Sequence, residues 1–169
     1  MRVFALADPH LGGGVGKSMD LFGPKWTDHA RRLGEHWREE VSDDDWVLVA
    51  GDISWALKLE EALPDLDFLA ALPGRKVLIK GNHDFWWTSR AKVESILPPS
   101  LHLLQNDAVD LGQGIGVVGC RGWTPPGAPS AGEHDEKIFN RELERFRLSV
   151  RAAGDRFRVL VAMLHYPPL

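Results

Sequence analysis

Cysteine is almost missing from this chain: Cys120 stands alone among 169 residues. That excludes an internal disulfide framework and fits a reducing compartment. No apolar run approaches membrane-spanning length, so no membrane partner is expected. Met1-Arg2-Val3 leads straight into an apolar segment and leaves no room for a signal peptide, so the expected location is cytoplasmic. Charge of one sign is not in excess either: the net charge of −4 argues against binding nucleic acid by broad electrostatics. Internal repeats, low-complexity tracts and a domain-splitting linker are all lacking. Tyrosine occurs once against seven tryptophans. What remains is ordinary for a globular protein, 44% hydrophobic and 26% charged. The length suits one domain with a real core, and two full domains would be cramped.

The chain is organised around Lys80-Gly81-Asn82-His83-Asp84, which follows the short β-branched run Val77-Leu78-Ile79. Such a run reads as a buried strand, and Gly81 lets the backbone turn sharply after it. Asn82 can give a metal an oxygen, His83 can carry a proton, and Asp84 can hold an imidazole's orientation. Alone, this stretch is equally compatible with an Asn-Asp turn carrying an incidental histidine. The same event, however, happens four times. Val3 to Ala7 runs into Asp8-Pro9-His10, Trp46 to Ala50 into Gly51-Asp52, and Val159 to Leu164 into His165-Tyr166. In α/β sheets the C-terminal ends of neighbouring parallel strands share one crevice, which is where sites are assembled.

The segments between these strands are read as follows. Leu11 to Pro24 is a glycine-rich loop whose Gly16-Lys17-Ser18 invites a P-loop reading. That pattern needs a glycine where Leu11 stands, and Pro24 intervenes before any helix, so the P-loop is rejected. Thr27 to Val41 has helical spacing at Ala30, Leu33, Trp37 and Val41, with His29 and His36 as solvated or partly packed surface residues. Ser42 to Asp45 is an acidic turn without the spacing of a calcium loop. Ala56 to Leu72 is a helical crossover interrupted at Pro64, and Thr88 to Leu97 a third helix. Strands alternating with helices imply a parallel sheet. Leu101 to Leu104, Ala108 to Leu111 and Ile115 to Cys120 then read as strands of a second, more antiparallel sheet, with His102 structural. A long Gly/Pro loop from Arg121 to Asp135 follows. A helix from Asp135 to Ala153 comes next, with Phe139, Leu143, Phe146 and Val150 on one face. Trp37 and Trp46 are packing residues. For Trp55, Trp86, Trp87 and Trp123, core and site-wall readings both stay open.

Asp8 and His10, two apart on one extended segment, can grip one ion. The two oxygens of Asp52 can bridge two, and Asn82 and His165 can complete the second set. Mixed nitrogen and oxygen ligands suit Mn, Fe or Zn. Two bridged ions, about 3.5–4 Å apart, lower the pKa of a shared water and clamp a phosphoryl oxygen.

The series D-x-H, G-D, G-N-H-D and a strand-end His, from Asp8 to His165, resembles the calcineurin-like metallophosphoesterases. A fuller likeness is to a bacterial branch of predicted phosphohydrolases, through Gly51 to Ala56, Lys80 to Trp87, Arg121-Gly122-Trp123 and Leu164 to Pro168. The resemblance implies an α/β fold of two packed mixed β-sheets flanked by helices, a four-layer α/β/β/α sandwich. It implies two divalent ions, the first on Asp8, His10 and Asp52, the second on Asp52, Asn82 and His165. A metal-activated hydroxide would attack phosphorus, His83 would protonate the leaving oxygen, and Asp84 would orient the His83 ring. The implied substrate is a small-molecule or nucleotide phosphoester, by monoesterase or diesterase action. Arg121, at a strand end, is open to two readings, a substrate-phosphate clamp or a surface salt bridge. The family's later G-H-x-H motif does not occur in these 169 residues. The expectation is therefore a single metallophosphoesterase domain over 1–169, truncated before its last strands, with a non-catalytic metal-binding or regulatory fragment as the alternative.

Overall fold

The computed structural model describes residues 1–129 and 131–168. Ser130, in the long Gly/Pro loop, and Leu169 lie outside the described residues. The chain divides into two compact units, Met1–His102 and Leu103–Leu169.

In the first unit, β1 (Val3–Leu6), β2 (Trp46–Val49), β3 (Arg75–Leu78) and β4 (Leu101–Leu103) form one sheet in that order. β1 pairs parallel with β2, Val3 opposite Trp46 and Leu6 opposite Val49, and β2 pairs parallel with β3. All four residues of β2 are buried, as expected for a central strand covered on both faces. β1 is an edge strand and only half covered. Helix α1 (His29–Glu40) anchors itself through Trp37, whose indole N–H donates to the Pro73 carbonyl at 2.9 Å. His36 is solvated, as anticipated.

Helix α2 (Leu59–Ala70) runs straight through Pro64 instead of breaking there. A single proline removes one ladder donor, and its fixed φ is itself helical. The turn preceding Pro64 is covered by the glycine-rich loop: Gly13 N–H donates to Asp65 Oδ1 at 2.8 Å. A Cβ on Gly14 would stand 1.8 Å from the Glu61 carbonyl oxygen. Gly13 and Gly14 let the loop's backbone lie against this helix. Helix α3 is a short piece, Arg90–Glu94, capped by Ser89.

β4 corrects the expected sheet division. Leu101–Leu103 belongs to the first sheet, where Lys76 N–H donates to the Ser100 carbonyl at 2.8 Å beside it. His102 packs against Trp46 at 5.2 Å between ring centres, and burial lowers its pKa.

The second unit contains β5 (Ala108–Gly112), β6 (Ile115–Cys120), α4 (Glu133–Ala153) and β7 (Val159–Leu164), with sheet order β5-β6-β7. β5 and β6 are antiparallel with a bulge at Asp110/Gly112, and β6 and β7 are parallel over six residues. The second sheet is thus mixed. The fourth strand end, which the sequence suggested would join the others at the edge of one parallel sheet, belongs to this separate sheet. Its parallel return from β6 needs a long crossover, and α4 supplies it.

The buried stripe of α4 is not the apolar one. Glu142, Ser149 and Ala153 are buried, Phe139, Leu143 and Phe146 are half-buried, and Val150 is exposed. Ser149 explains the choice. Its hydroxyl accepts the Gly119 N–H of β6 at 2.9 Å and donates to the Asp107 carbonyl, so the helix docks through a hydrogen-bonded small residue. Its half-buried phenylalanines instead line a cavity of about 280 Å³ with Trp123, Leu164 and Tyr166. No helix among the described residues is long and apolar enough to cross a membrane.

Candidate metal centre

Beyond the ends of β1 and β2 the two chains stay paired. Asp8 N–H donates to Gly51 O at 3.1 Å, His10 N–H to Asp52 O at 3.0 Å and Leu11 N–H to Ile53 O at 2.9 Å. This continued ladder carries Asp8, His10 and Asp52 forward side by side. All three adopt left-handed backbone conformations, with φ of 55°, 43° and 52°. A left-handed non-glycine residue costs on the order of 1–3 kcal/mol, and such strain gathers where a side chain must be aimed. Three such residues in one cluster are accounted for by the aim of their side chains.

One ligand atom from each of Asp8, His10 and Asp52 lies within 4.8 Å of the others. His10 Nε2 is 3.6 Å from Asp8 Oδ1 and 3.6 Å from Asp52 Oδ2. Those separations exceed a hydrogen bond but match two ligands on one ion, which at bonds of about 2.1 Å stand roughly 3–4 Å apart. The donor set, two carboxylates and an imidazole, fits a divalent ion of the Mn, Fe or Zn type.

Asp52 is buried and doubly engaged. Its Oδ1 accepts the His83 N–H at 2.8 Å, and its Oδ2 faces His10 and, at 4.0 Å, His83 Nε2. The turn after β3 reaches it only because residue 81 is glycine: a Cβ there would stand 2.1 Å from Asp52 Oδ1 and 2.2 Å from Asp52 N. Asn82 is half-buried in the same turn, between Gly81 and His83. The His83 side chain is 44% exposed, while its backbone N–H holds Asp52.

Asp84 does not hold the His83 ring. The carboxylate is fully buried and accepts N–H groups from Ile53 at 2.8 Å, Ser54 at 3.2 Å and Gly81 at 2.7 Å, and from the Trp86 indole at 3.0 Å. Burial pushes its carboxyl up, and the four donors oppose that by favouring the charged form. Its physical role is to tie the turn after β2 to the turn after β3. Aromatic neighbours flank His83 instead, with Trp55 at 5.5 Å and Phe85 at 6.2 Å between ring centres.

Trp55 is a wall of the site, stacked on His10 at 4.3 Å and 18°, whereas Trp86 and Trp87 are core. The Lys17 ammonium lies 3.5 Å from the Trp55 ring centre. His29, read from sequence as a surface residue, has Nε2 3.0 Å from the Pro9 carbonyl. A carbonyl can only accept, so this nitrogen carries the proton and pins the peptide between Asp8 and His10. No local sequence pattern announces either contact, since both join residues far apart in the chain.

His165 ends β7 in the second unit, and its N–H donates to the Arg121 carbonyl at 3.1 Å. Of the two readings open for Arg121, the ion pair is present, though largely buried rather than on the surface. The guanidinium is 3.3 Å from Glu142 Oε1 and 4.4 Å from the Trp123 ring centre, and burial lowers its pKa. Arg141 and Arg145 converge on the same carboxylate oxygen.

A protein of Mycobacterium phage D29, the Gene 66 protein, is 41% identical over 84 residues, 49% of this chain. The matched part is 40% of that relative's length. The crystal structure of a protein of unknown function from Aquifex aeolicus superposes with a TM-score of 0.51 over 97% of this chain and 90% of its own, at 12% identity. That likeness concerns the fold alone. The family described as calcineurin-like phosphoesterase matches residues 1–169, and the chain belongs to that family.

Proposed function

We propose that this chain carries the catalytic centre of a metal-dependent phosphoesterase acting on a small-molecule or nucleotide phosphoester. The observation that carries the reading is the convergence of Asp8, His10 and Asp52 with the open His83 ring beside them. A first divalent ion would be held by Asp8, His10 and Asp52; a second would take Asp52, Asn82 and His165, the set that the family resemblance implies. Bound ions supply Lewis acidity and a nucleophile at neutral pH.

The chain's own residues do the rest. Asp52, fixed through Oδ1 by the His83 N–H, keeps Oδ2 aimed at the ligand cluster. Water gives up one proton to the solvent as its oxygen bonds to phosphorus, the P–O bond to the leaving group breaks, and the departing oxygen takes the proton from His83 Nε2. His83 then recovers a proton from solvent through its exposed side. Trp55 and Phe85 limit the swing of that ring.

The test is metal analysis and hydrolysis of bis(4-nitrophenyl) phosphate, comparing wild type with Asp52→Asn after chelation and addition of Mn. Asp52→Asn should lose metal and activity together, because the shared ligand loses its charge. Full metal retention in Asp52→Asn, or a wild type that binds no metal, overturns the reading.

A further inference from the structure

The glycine-rich loop after His10 walls an open cavity of about 370 Å³, with Gly12, Lys17, Asp20, Asp28, His29 and Arg31 among its lining. Two cations face it, and they are not equivalent. Arg31 is neutralised by Glu35 at 2.8 Å and Asp28 at 3.1 Å. Asp20 accepts the Asp28 N–H at 3.1 Å and is part of the same local network. Lys17 has no carboxylate partner among the described residues, and its ammonium rests on the Trp55 ring. That indole is also in contact with His10 and His83. A lysine with an uncommitted charge is therefore parked on the ring that flanks both the metal-ligand cluster and the open imidazole.

The loop's construction holds it there. Gly12 O accepts the N–H groups of Val15 at 3.3 Å and Lys17 at 3.1 Å, closing a tight turn. A Cβ on Gly12 would stand 1.8 Å from the Lys17 carbonyl oxygen, so only glycine lets the chain fold back and bring Lys17 over Trp55. An exposed cation on an aromatic face is held weakly, so the ammonium can leave it for an anion.

We propose that Lys17 is a specificity-determining residue that binds a second anionic group of the substrate, so that phosphoesters bearing a further negative charge are preferred. The inference rests on the phosphoesterase reading and adds the substrate class to it. The charge sits on the indole that stacks on His10 and neighbours the His83 ring, within reach of a second group on a molecule bound at the centre. Of the two carboxylates in the lining, Asp28 is paired with Arg31, whereas Asp20 accepts a backbone N–H and keeps its charge.

The test uses two esters with the same leaving group and reacting phosphorus. These are thymidine 5′-(4-nitrophenyl phosphate) and the same compound carrying a 3′-phosphate. Wild type should favour the 3′-phosphorylated ester by about tenfold in kcat/KM, the preference shrinking in high salt. Lys17→Met should bring that ratio close to one, and Lys17→Arg should restore most of it. Independently of turnover, calorimetric titration of metal-depleted protein should show thymidine 3′,5′-bisphosphate binding more tightly than thymidine 5′-monophosphate, with Lys17→Met erasing the difference. Equal use of the two esters by wild type, or a preference that Lys17→Met retains, overturns the assignment. If wild type with Mn hydrolyses neither ester, the phosphoesterase reading fails, and the calorimetric difference alone then decides for or against Lys17.

Discussion

Replacing Gly81 with alanine should disable the centre from a residue that contributes no side chain to it. The new Cβ would lie 2.1 Å from Asp52 Oδ1, 2.2 Å from Asp52 N and 2.9 Å from Asp52 Cγ. Ordinary contact begins near 3.4 Å, so the turn after β3 and the segment carrying Asp52 must separate by more than about 1 Å, since overpacked groups cannot interpenetrate. Swinging the Asp52 carboxylate aside would not relieve the clash, because the 2.2 Å contact is with backbone. The separation breaks the 2.8 Å bond from His83 N–H to Asp52 Oδ1, a charge-assisted bond worth ~1.5–3 kcal/mol. Overpacking adds ~1–3 kcal/mol, so Gly81→Ala should lose about 3–5 kcal/mol of stability in urea unfolding. Metal affinity should fall at least tenfold in calorimetry, since Asp52 Oδ2 can no longer hold its 3.6 Å relation to His10 Nε2. Gly132→Ala is the control: its nearest atom would be 3.8 Å away at an ordinary φ of −113°. A Gly81→Ala protein within 0.5 kcal/mol of wild type, with unchanged metal affinity, would refute the close-approach argument.

Other outcomes follow from the same geometry. His83→Ala should cut turnover by ~10²–10⁴-fold on esters with poor leaving groups and much less on nitrophenyl esters, because only a poor leaving oxygen needs a proton. Equal losses on both substrate types would give His83 a different role. Lys76, fully buried with its Nζ donating to the Leu72 carbonyl, has its pKa lowered to about 8 from 10.5 by desolvation. Below pH 8 both folded and unfolded chains hold the proton, and the fold bears the cost of burying it. Between 8 and 10.5 the fold releases a proton that the unfolded chain keeps, so wild-type stability should rise with pH. Lys76→Met lacks that titration, and its stability relative to wild type should fall by up to about 3 kcal/mol between pH 7 and 10.5. A difference between the two proteins that does not change with pH would sink this account.

Much of the molecule is legible in the amino-acid sequence. The β-branched runs at Trp46–Val49, Ile115–Cys120 and Val159–Leu164 are strands because their composition leaves little else. Asp8, His10 and Asp52 stand out because ligand-type residues directly after apolar strands have no packing purpose, and their clustering needs only the register of β1 against β2. Family membership is likewise carried by motif order along the chain.

Contacts between distant segments decided the rest. Helix α2 continues through Pro64, whose fixed φ is itself helical, and the glycine-rich loop packs on the turn before it, a contact with a loop some fifty residues away that a local rule cannot see. β4 joined the first sheet, and α4 turned Glu142 and Ser149 inward in preference to Val150, because hydrogen-bond partners on other strands outweighed apolar periodicity. Asp84 passed from ring orienter to backbone clamp once four N–H donors from two turns and an indole converged on it. Trp55, Lys17 and His29 acquired their places beside His10 and Pro9 in the same way. Strand and ligand identity are encoded by adjacent residues, whereas the aim and support of each side chain depend on which distant donors and rings the fold brings within bonding reach.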